Sequence, residues 1–190
     1  GYDQLRQHNP SLVYCAISGF AQTGPLAHRP AYDQIIQGLS GAMSITGDIR
    51  SAPLRIGYPV CDTIGGLTAA FAVCAELLRA RATGQGSFVD VSMLDATLAT
   101  MGWVVSNDLN AGVVPVPMGN DNFTAAPSGT FRTGAGLLNI AANEQKQFDA
   151  LCRIVGAPEL ATDRRFAARE ARKRHRAELS ARLDAVDAAS

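Results

Sequence analysis

A chain of 190 residues with 47% apolar and 18% charged side chains can bury a core of its own, and its composition fits a folded soluble protein rather than a disordered one. Seventeen basic residues balance seventeen acidic ones, for a formal net charge of zero, so nothing in the charge argues for a nucleic-acid or acidic-membrane partner. The four cysteines, at positions 15, 61, 74 and 152, form no C-x-x-C pair. Three lie in apolar runs as small hydrophobes, so no disulfide framework or zinc site is expected and a reducing, cytoplasmic compartment is.

The chain opens on Gly1 rather than Met, and residues 2–8 read as the end of a helix already under way. The expectation is a piece of something longer. No apolar signal segment stands at the start, and the longest uncharged run, residues 63–75, is too short to span a bilayer, so no membrane partner is expected. Asn9-Pro10 turns the chain into residues 11–18, a β-forming run expected as a buried parallel strand. The loop that follows, residues 19–25, carries Gly19, Gly24 and Pro25 and suits either a ligand contact or an ordinary strand-to-helix connection. It matches neither G-x-G-x-x-G nor a P-loop. Ile35, Ile36, Leu39 and Met43 recur at helical spacing and predict a helix from near Pro30.

Residues 54–60 are extended and lead to Asp62, the only formally charged residue between Ile56 and Ala75. A long helix is predicted from there to about Arg81, stopped at Thr83-Gly84. Asp62 has two readings at this point: a helix N-cap, or an active-site carboxylate held where the helix dipole favours an anion.

Residues 87–93 alternate as a strand, with Asp90 on its polar face, structural or solvated. One helix is predicted over residues 93–110, with Trp103 in the core or an interface. Residues 112–127 are loop. A hairpin is predicted from residues 129–133 and 137–142 about Gly134 to Gly136. An amphipathic helix is predicted over residues 143–155, capped by Asn143, with Phe148, Leu151, Cys152 and Val155 on one face. The arginine-rich tail, residues 163–182, is expected to be a solvated helix with pairs such as Glu170–Arg174. Residues 185–190 are expected to fray. His8, His28 and His175 enter no triad or metal pattern and no G-x-S-x-G elbow occurs. What remains is one carboxylate that could act as nucleophile or general base.

The ordered motifs add a resemblance. Asn9-Pro10, Ile17-Ser18-Gly19-Phe20, Thr23-Gly24-Pro25, Tyr32-Asp33, Ser40-Gly41, Thr46-Gly47 and Asp62 with Gly65-Gly66 occur in series. They are followed by Thr83-Gly84-Gln85-Gly86, Val89-Asp90-Val91-Ser92, Gln147-Phe148, Pro158-Glu159-Leu160 and Asp163-Arg164-Arg165-Phe166. In this the chain resembles the middle portion of the class III (CaiB/BaiF) CoA-transferases, across nearly its whole length. The resemblance implies an α/β fold with an open parallel-sheet large domain, here residues 1–112, and part of a smaller α+β domain, residues 113–190. It implies an interlaced homodimer for the full-length protein and no tightly bound cofactor, coenzyme A and acyl-CoA being substrates.

By that resemblance Asp62 is the nucleophile that forms first an acyl anhydride and then an aspartyl-CoA thioester. Pro30, Ala31, Tyr32 and Asp33 line the CoA and substrate side. The racemase branch of the family carries a His-Asp pair thirty positions before its catalytic Asp; here those positions hold Tyr32 and Asp33, and imidazole is missing. The region of Gly119 to Pro127 lacks the glycine run of formyl-CoA transferase, and is more similar to members using succinyl-CoA with a small dicarboxylic acceptor such as glutarate. The other reading of the chain is a non-catalytic fragment that cannot hold CoA.

Overall fold

The structure is a computed structural model that describes residues 1–187. It separates into two compact units, Gly1–Pro117 and Met118–Ser190. Both combine helices with strands, the mixed α/β class expected.

In the first unit α1 (Tyr2–His8) precedes β1 (Val13–Ser18), then come α2 (Asp33–Leu39), a 3₁₀ turn (Ala42–Ile45), α3 (Val60–Thr83), β2 (Ser87–Ser92), α4 (Met93–Met101) and α5 (Trp103–Ala111). Strands β1 and β2 pair in parallel from Val13↔Ser87 to Ser18↔Ser92. Parallel neighbours need a long crossover, and here α2 and α3 lie within it, with α3 packed on both strands and on α4. The return into β2 is tight. The Gly86 N–H donates to the Pro10 carbonyl at 2.7 Å, and a Cβ on Gly86 would lie 1.9 Å from the Leu12 carbonyl oxygen. No residue but glycine fits that approach without moving backbone.

Helix α3 ends as expected, with Gly84 in the left-handed conformation. It buries only a thin stripe, Cys61, Gly65, Ala69 and Ala80, and leaves Leu67, Phe71 and Leu78 exposed. Among the described residues it is the one helix long and apolar enough, by length and composition, to cross a membrane. The uncharged run in the sequence understates this, because the helix continues through Glu76, Arg79 and Arg81 to Thr83. A core helix of a soluble protein meets the same criterion.

Three sequence expectations are corrected in this unit. The helix expected from near Pro30 begins at Asp33, because Tyr32 keeps an extended backbone. Its spacing overstates the burial: Ile36 is inside, whereas Ile35 and Leu39 are exposed. The single helix expected over residues 93–110 is two, broken at Gly102, whose backbone (φ 49°, ψ −112°) leaves the helical region. Trp103, expected in the core or an interface, is 53% exposed in the single chain, which rules out the core alternative alone. Of the cysteines, Cys61 and Cys152 are buried, Cys15 is half-buried and Cys74 is exposed; all four are free thiols.

The second unit is the expected hairpin, β3 (Ser128–Thr133) with β4 (Gly136–Ala141), followed by α6 (Gln145–Ile154), a 3₁₀ turn (Pro158–Ala161), α7 (Arg169–Arg174) and α8 (Arg176–Asp187). The entry to α6 is set at Glu144, not Asn143: the Glu144 N–H donates to Gln147 Oε1 at 2.9 Å. Phe131, Phe148, Cys152, Leu160, Phe166, Leu179 and Leu183 form the core. Two of these come from the arginine-rich tail, which is therefore not merely solvated. Arg172 is fully buried, stacked 4.3 Å from the Phe148 ring centre, and donates to the carbonyls of Ala126 and Phe166 and to Gln145 Oε1 at 2.8–2.9 Å. The tail's ion pairs also differ from those expected, Lys173 meeting Glu170 and Arg165 meeting both Asp163 and Glu178. Residues 185–187 continue α8 rather than fraying; residues 188–190 lie outside the described residues.

Two measurements check these contacts. Gly86→Ala should destabilise the protein by about 2–3 kcal/mol, the cost of overpacking against backbone, read as a lower urea midpoint. The hydrogen bonds from the Arg165 side chain hold the Asp163 carboxyl at a pKa of about 2, below the ordinary carboxylate value. A depressed carboxylate stabilises the folded state above its unfolded pKa and loses that contribution as pH falls through the folded value. Unfolding midpoints of the wild type should thus drop between about pH 4 and pH 2, and Asp163→Asn should flatten that limb.

Candidate active site

The site is assembled where α2 and α3 begin. Asp33 is the first residue of α2 and 7% exposed. A buried carboxylate needs donors on both oxygens. Its Oδ1 accepts the backbone N–H of Cys61 at 2.8 Å, and its Oδ2 accepts Nε2 of Gln37, one turn along α2, at 2.6 Å. Arg55 Nη2 stands 3.9 Å from Oδ2. Gln37 is fully buried; its Oε1 accepts the Ile56 N–H at 2.8 Å, and its Nε2 also donates to the Tyr58 carbonyl at 3.3 Å. One acid and one amide on α2 therefore grip the segment from Ile56 to Cys61 at three backbone points.

That segment ends at Asp62. Pro59 occupies the cap position of α3 and makes no side-chain cap bond, and Asp62 lies inside the first turn, exposed. The capping function read for Asp62 thus falls to Asp33, whose carboxylate takes an early helix N–H from outside the helix. Asp62 keeps the favourable end of the helix dipole while facing solvent. Beneath it Ile36, Cys61 and Met93 form an apolar kernel with Phe20, Ala31, Val60 and Leu94 around them. Cys61, the neighbouring nucleophile by residue type, is fully buried. Burial first, and then the nearby Asp33 and Asp62 charges, push its thiol pKa up, while a hydrogen bond with Thr97 opposes them. A neutral buried thiol is inert, which leaves Asp62 as the accessible nucleophile at this helix start.

The other candidates, Pro30, Ala31 and Tyr32, immediately precede α2. Tyr32 precedes α2 with an extended backbone and is 82% exposed. Pro30 is exposed. Ala31 is seated against Gly19, where an added Cβ would lie 2.4 Å from that of Ala31. The 19–25 loop is tied to β2, because Asp90 Oδ2 accepts the Gln22 N–H at 2.8 Å; this is the structural role read for Asp90. Gln37 escaped the sequence reading. Its signal was there: it lies four residues after Asp33, the spacing at which side chains meet on a helix. Among the described residues no cluster of His, Cys, Asp or Glu is placed to hold a metal ion.

A profile for "CoA-transferase family III" matches residues 1–189. A succinate–glutarate CoA-transferase of Agrobacterium fabrum is 38% identical over 178 residues, covering 94% of this chain and 44% of that protein. An acetyl-CoA:oxalate CoA-transferase of Acetobacter aceti is 39% identical over 184 residues, covering 96% of this chain and 47% of that one. A crystal structure of a CaiB/BaiF family protein from Brucella suis superposes with a TM-score of 0.83 at 36% identity, covering 98% of this chain and 50% of that one. The chain thus spans less than half the length of these two transferases.

Replacing Gln37 by Leu would leave a part-buried Ile56 N–H and a buried Asp33 oxygen without that partner. Gln37→Leu should cost about 2–4 kcal/mol of stability, the range for two orphaned groups, measured by urea unfolding.

Proposed function

The chain belongs to CoA-transferase family III, and on that footing we propose that the protein carrying it moves coenzyme A from an acyl-CoA donor to a small carboxylic acid. Asp62 is the nucleophile. The reading rests on one observation: an exposed carboxylate in the first turn of a 24-residue helix, beside a cysteine too buried to compete.

The chemistry is covalent catalysis in balanced steps. A carboxylate oxygen of Asp62 attacks the thioester carbonyl carbon, the C–S bond breaks, and CoA leaves as thiolate from a mixed anhydride. The thiolate attacks the Asp62 carbonyl carbon, forming aspartyl-CoA thioester and releasing the donor acid. The acceptor carboxylate attacks that thioester, giving a second anhydride and thiolate. The thiolate then takes the acceptor acyl group, and Asp62 is regenerated. No proton need move and no cofactor is consumed. Pro30, Ala31 and Tyr32 flank the acyl-CoA, with Asp33 behind them. The position occupied by Tyr32 argues against the racemase reading, since a phenol is a poor base at neutral pH.

The relatives' substrates suggest a dicarboxylic acceptor. The expectation from residues 119–127 favours succinyl-CoA with a glutarate-like acid over oxalate, but the oxalate enzyme is as similar as the glutarate one, so both acids belong in the assay. We read α3 as a core helix of a soluble, cytoplasmic homodimer rather than a membrane span.

The full-length protein incubated with succinyl-CoA and then hydroxylamine or borohydride should carry the modification on the peptide containing Asp62. Asp62→Ala should lose at least about 10³-fold in kcat. Full turnover by that variant would sink the proposal.

A further inference from the structure

We propose that Asp33 is a positioning residue for Asp62, acting through the backbone of α3 rather than by touching acyl-CoA. The inference deepens the reading of Asp62 as nucleophile and rests on it.

A carboxylate that contacts a ligand must offer it an accessible oxygen, yet Asp33 is 7% exposed and each of its oxygens is turned onto a donor of the protein. What they hold is the approach to Asp62. Oδ1 fixes the N–H of Cys61, the residue just before the nucleophile. Oδ2 fixes the amide of Gln37, whose other contacts fix Ile56 and Tyr58. These bonds tie Ile56, Tyr58 and Cys61, three points within six consecutive residues, to one face of α2. The last of them sets where along α3 the first turn starts, and hence where Asp62 emerges.

The bond also matters because Pro59 caps α3 with no side-chain bond of its own. Without Asp33 the Cys61 N–H would be buried with no side-chain acceptor, and the first turn would be free to unwind toward water. A nucleophile one turn into such a helix would lose its aim. Misplacement of a reacting group by about 1 Å can cost about 10²-fold in rate.

Three variants of the full-length protein test this, assayed with succinyl-CoA as donor and glutarate and oxalate as acceptors. Asp33→Ala removes the acceptor for the Cys61 N–H. It should lower kcat by about 10- to 100-fold while the donor KM stays within about 2-fold. Asp33→Asn keeps a carbonyl oxygen for Cys61 while losing the link to Gln37 and the charge facing Arg55, so it should recover most of that kcat. Amide hydrogen exchange at Cys61 should speed up in Asp33→Ala and stay slow in Asp33→Asn. If Asp33→Ala does not fold, Asp33→Asn carries the same test alone, with a small kcat loss, unchanged donor KM and a protected Cys61 amide expected. A donor KM that rises at least about 10-fold with kcat unchanged would make Asp33 a ligand contact and overturn the proposal. So would a folded Asp33→Ala with unchanged exchange at Cys61, or an Asp33→Asn as impaired as Ala. Asp62→Ala is the third variant: full turnover there removes the nucleophile assignment, whereas the exchange data still report on the bracket itself.

Discussion

A carboxylate taken out of water must find donors, and at Asp33 that requirement organises the first unit. The donors available are a helix-start N–H from α3 and the amide of Gln37, so α2 cannot shift without orphaning buried groups. Each such bond adds only about 1 kcal/mol net, yet leaving its partner unmade costs more. The asymmetry makes the arrangement specific more than strong. Beside it lies the apolar kernel of Ile36, Cys61 and Met93.

The second unit meets the same constraint with the opposite sign. Arg172 is fully buried, and it is matched by two backbone carbonyls, a side-chain amide oxygen and the face of Phe148. Burial lowers its pKa. Its partners come from the residue before Pro127, from α6 and from the turn ahead of α7, so one guanidinium ties together three stretches far apart in sequence. The planar fork suits that task in a way an ammonium would not. Each unit therefore has a residue of charged type buried within it, held at hydrogen-bond distance by backbone and side-chain amide groups.

Much of this was legible in the sequence where local signals agree. The crossover from β1 to β2, the Gly84 stop, the hairpin and the amphipathic α6 all follow from periodicity and turn residues. Asp62 stood out because apolar neighbours isolate it. What could not be read was side-chain partnering across distance. Asp33 reaches Cys61 over twenty-eight residues, and Arg172 reaches Ala126 over forty-six. A run of arginines looks solvated until one knows that Phe166 and Leu179 turn the same segment inward. The break at Gly102 was missed for another reason: apolar periodicity runs through it, and only the backbone angles disclose the kink. Helix α3 misleads in the reverse direction. It is apolar nearly all round, which reads as burial, whereas Leu67, Phe71 and Leu78 face outward in these residues.

The pairing of β1 with β2 has a practical consequence. Parallel strands are ordinarily found with both faces covered and with neighbours on either side. Among the described residues these two strands pair only with each other, and Ile17 and Phe88 on them are exposed. Each strand therefore presents a free ladder of N–H and C=O groups, the geometry that recruits foreign strands. A preparation limited to these 190 residues carries two strand edges without a described strand partner, so its self-association should rise with concentration.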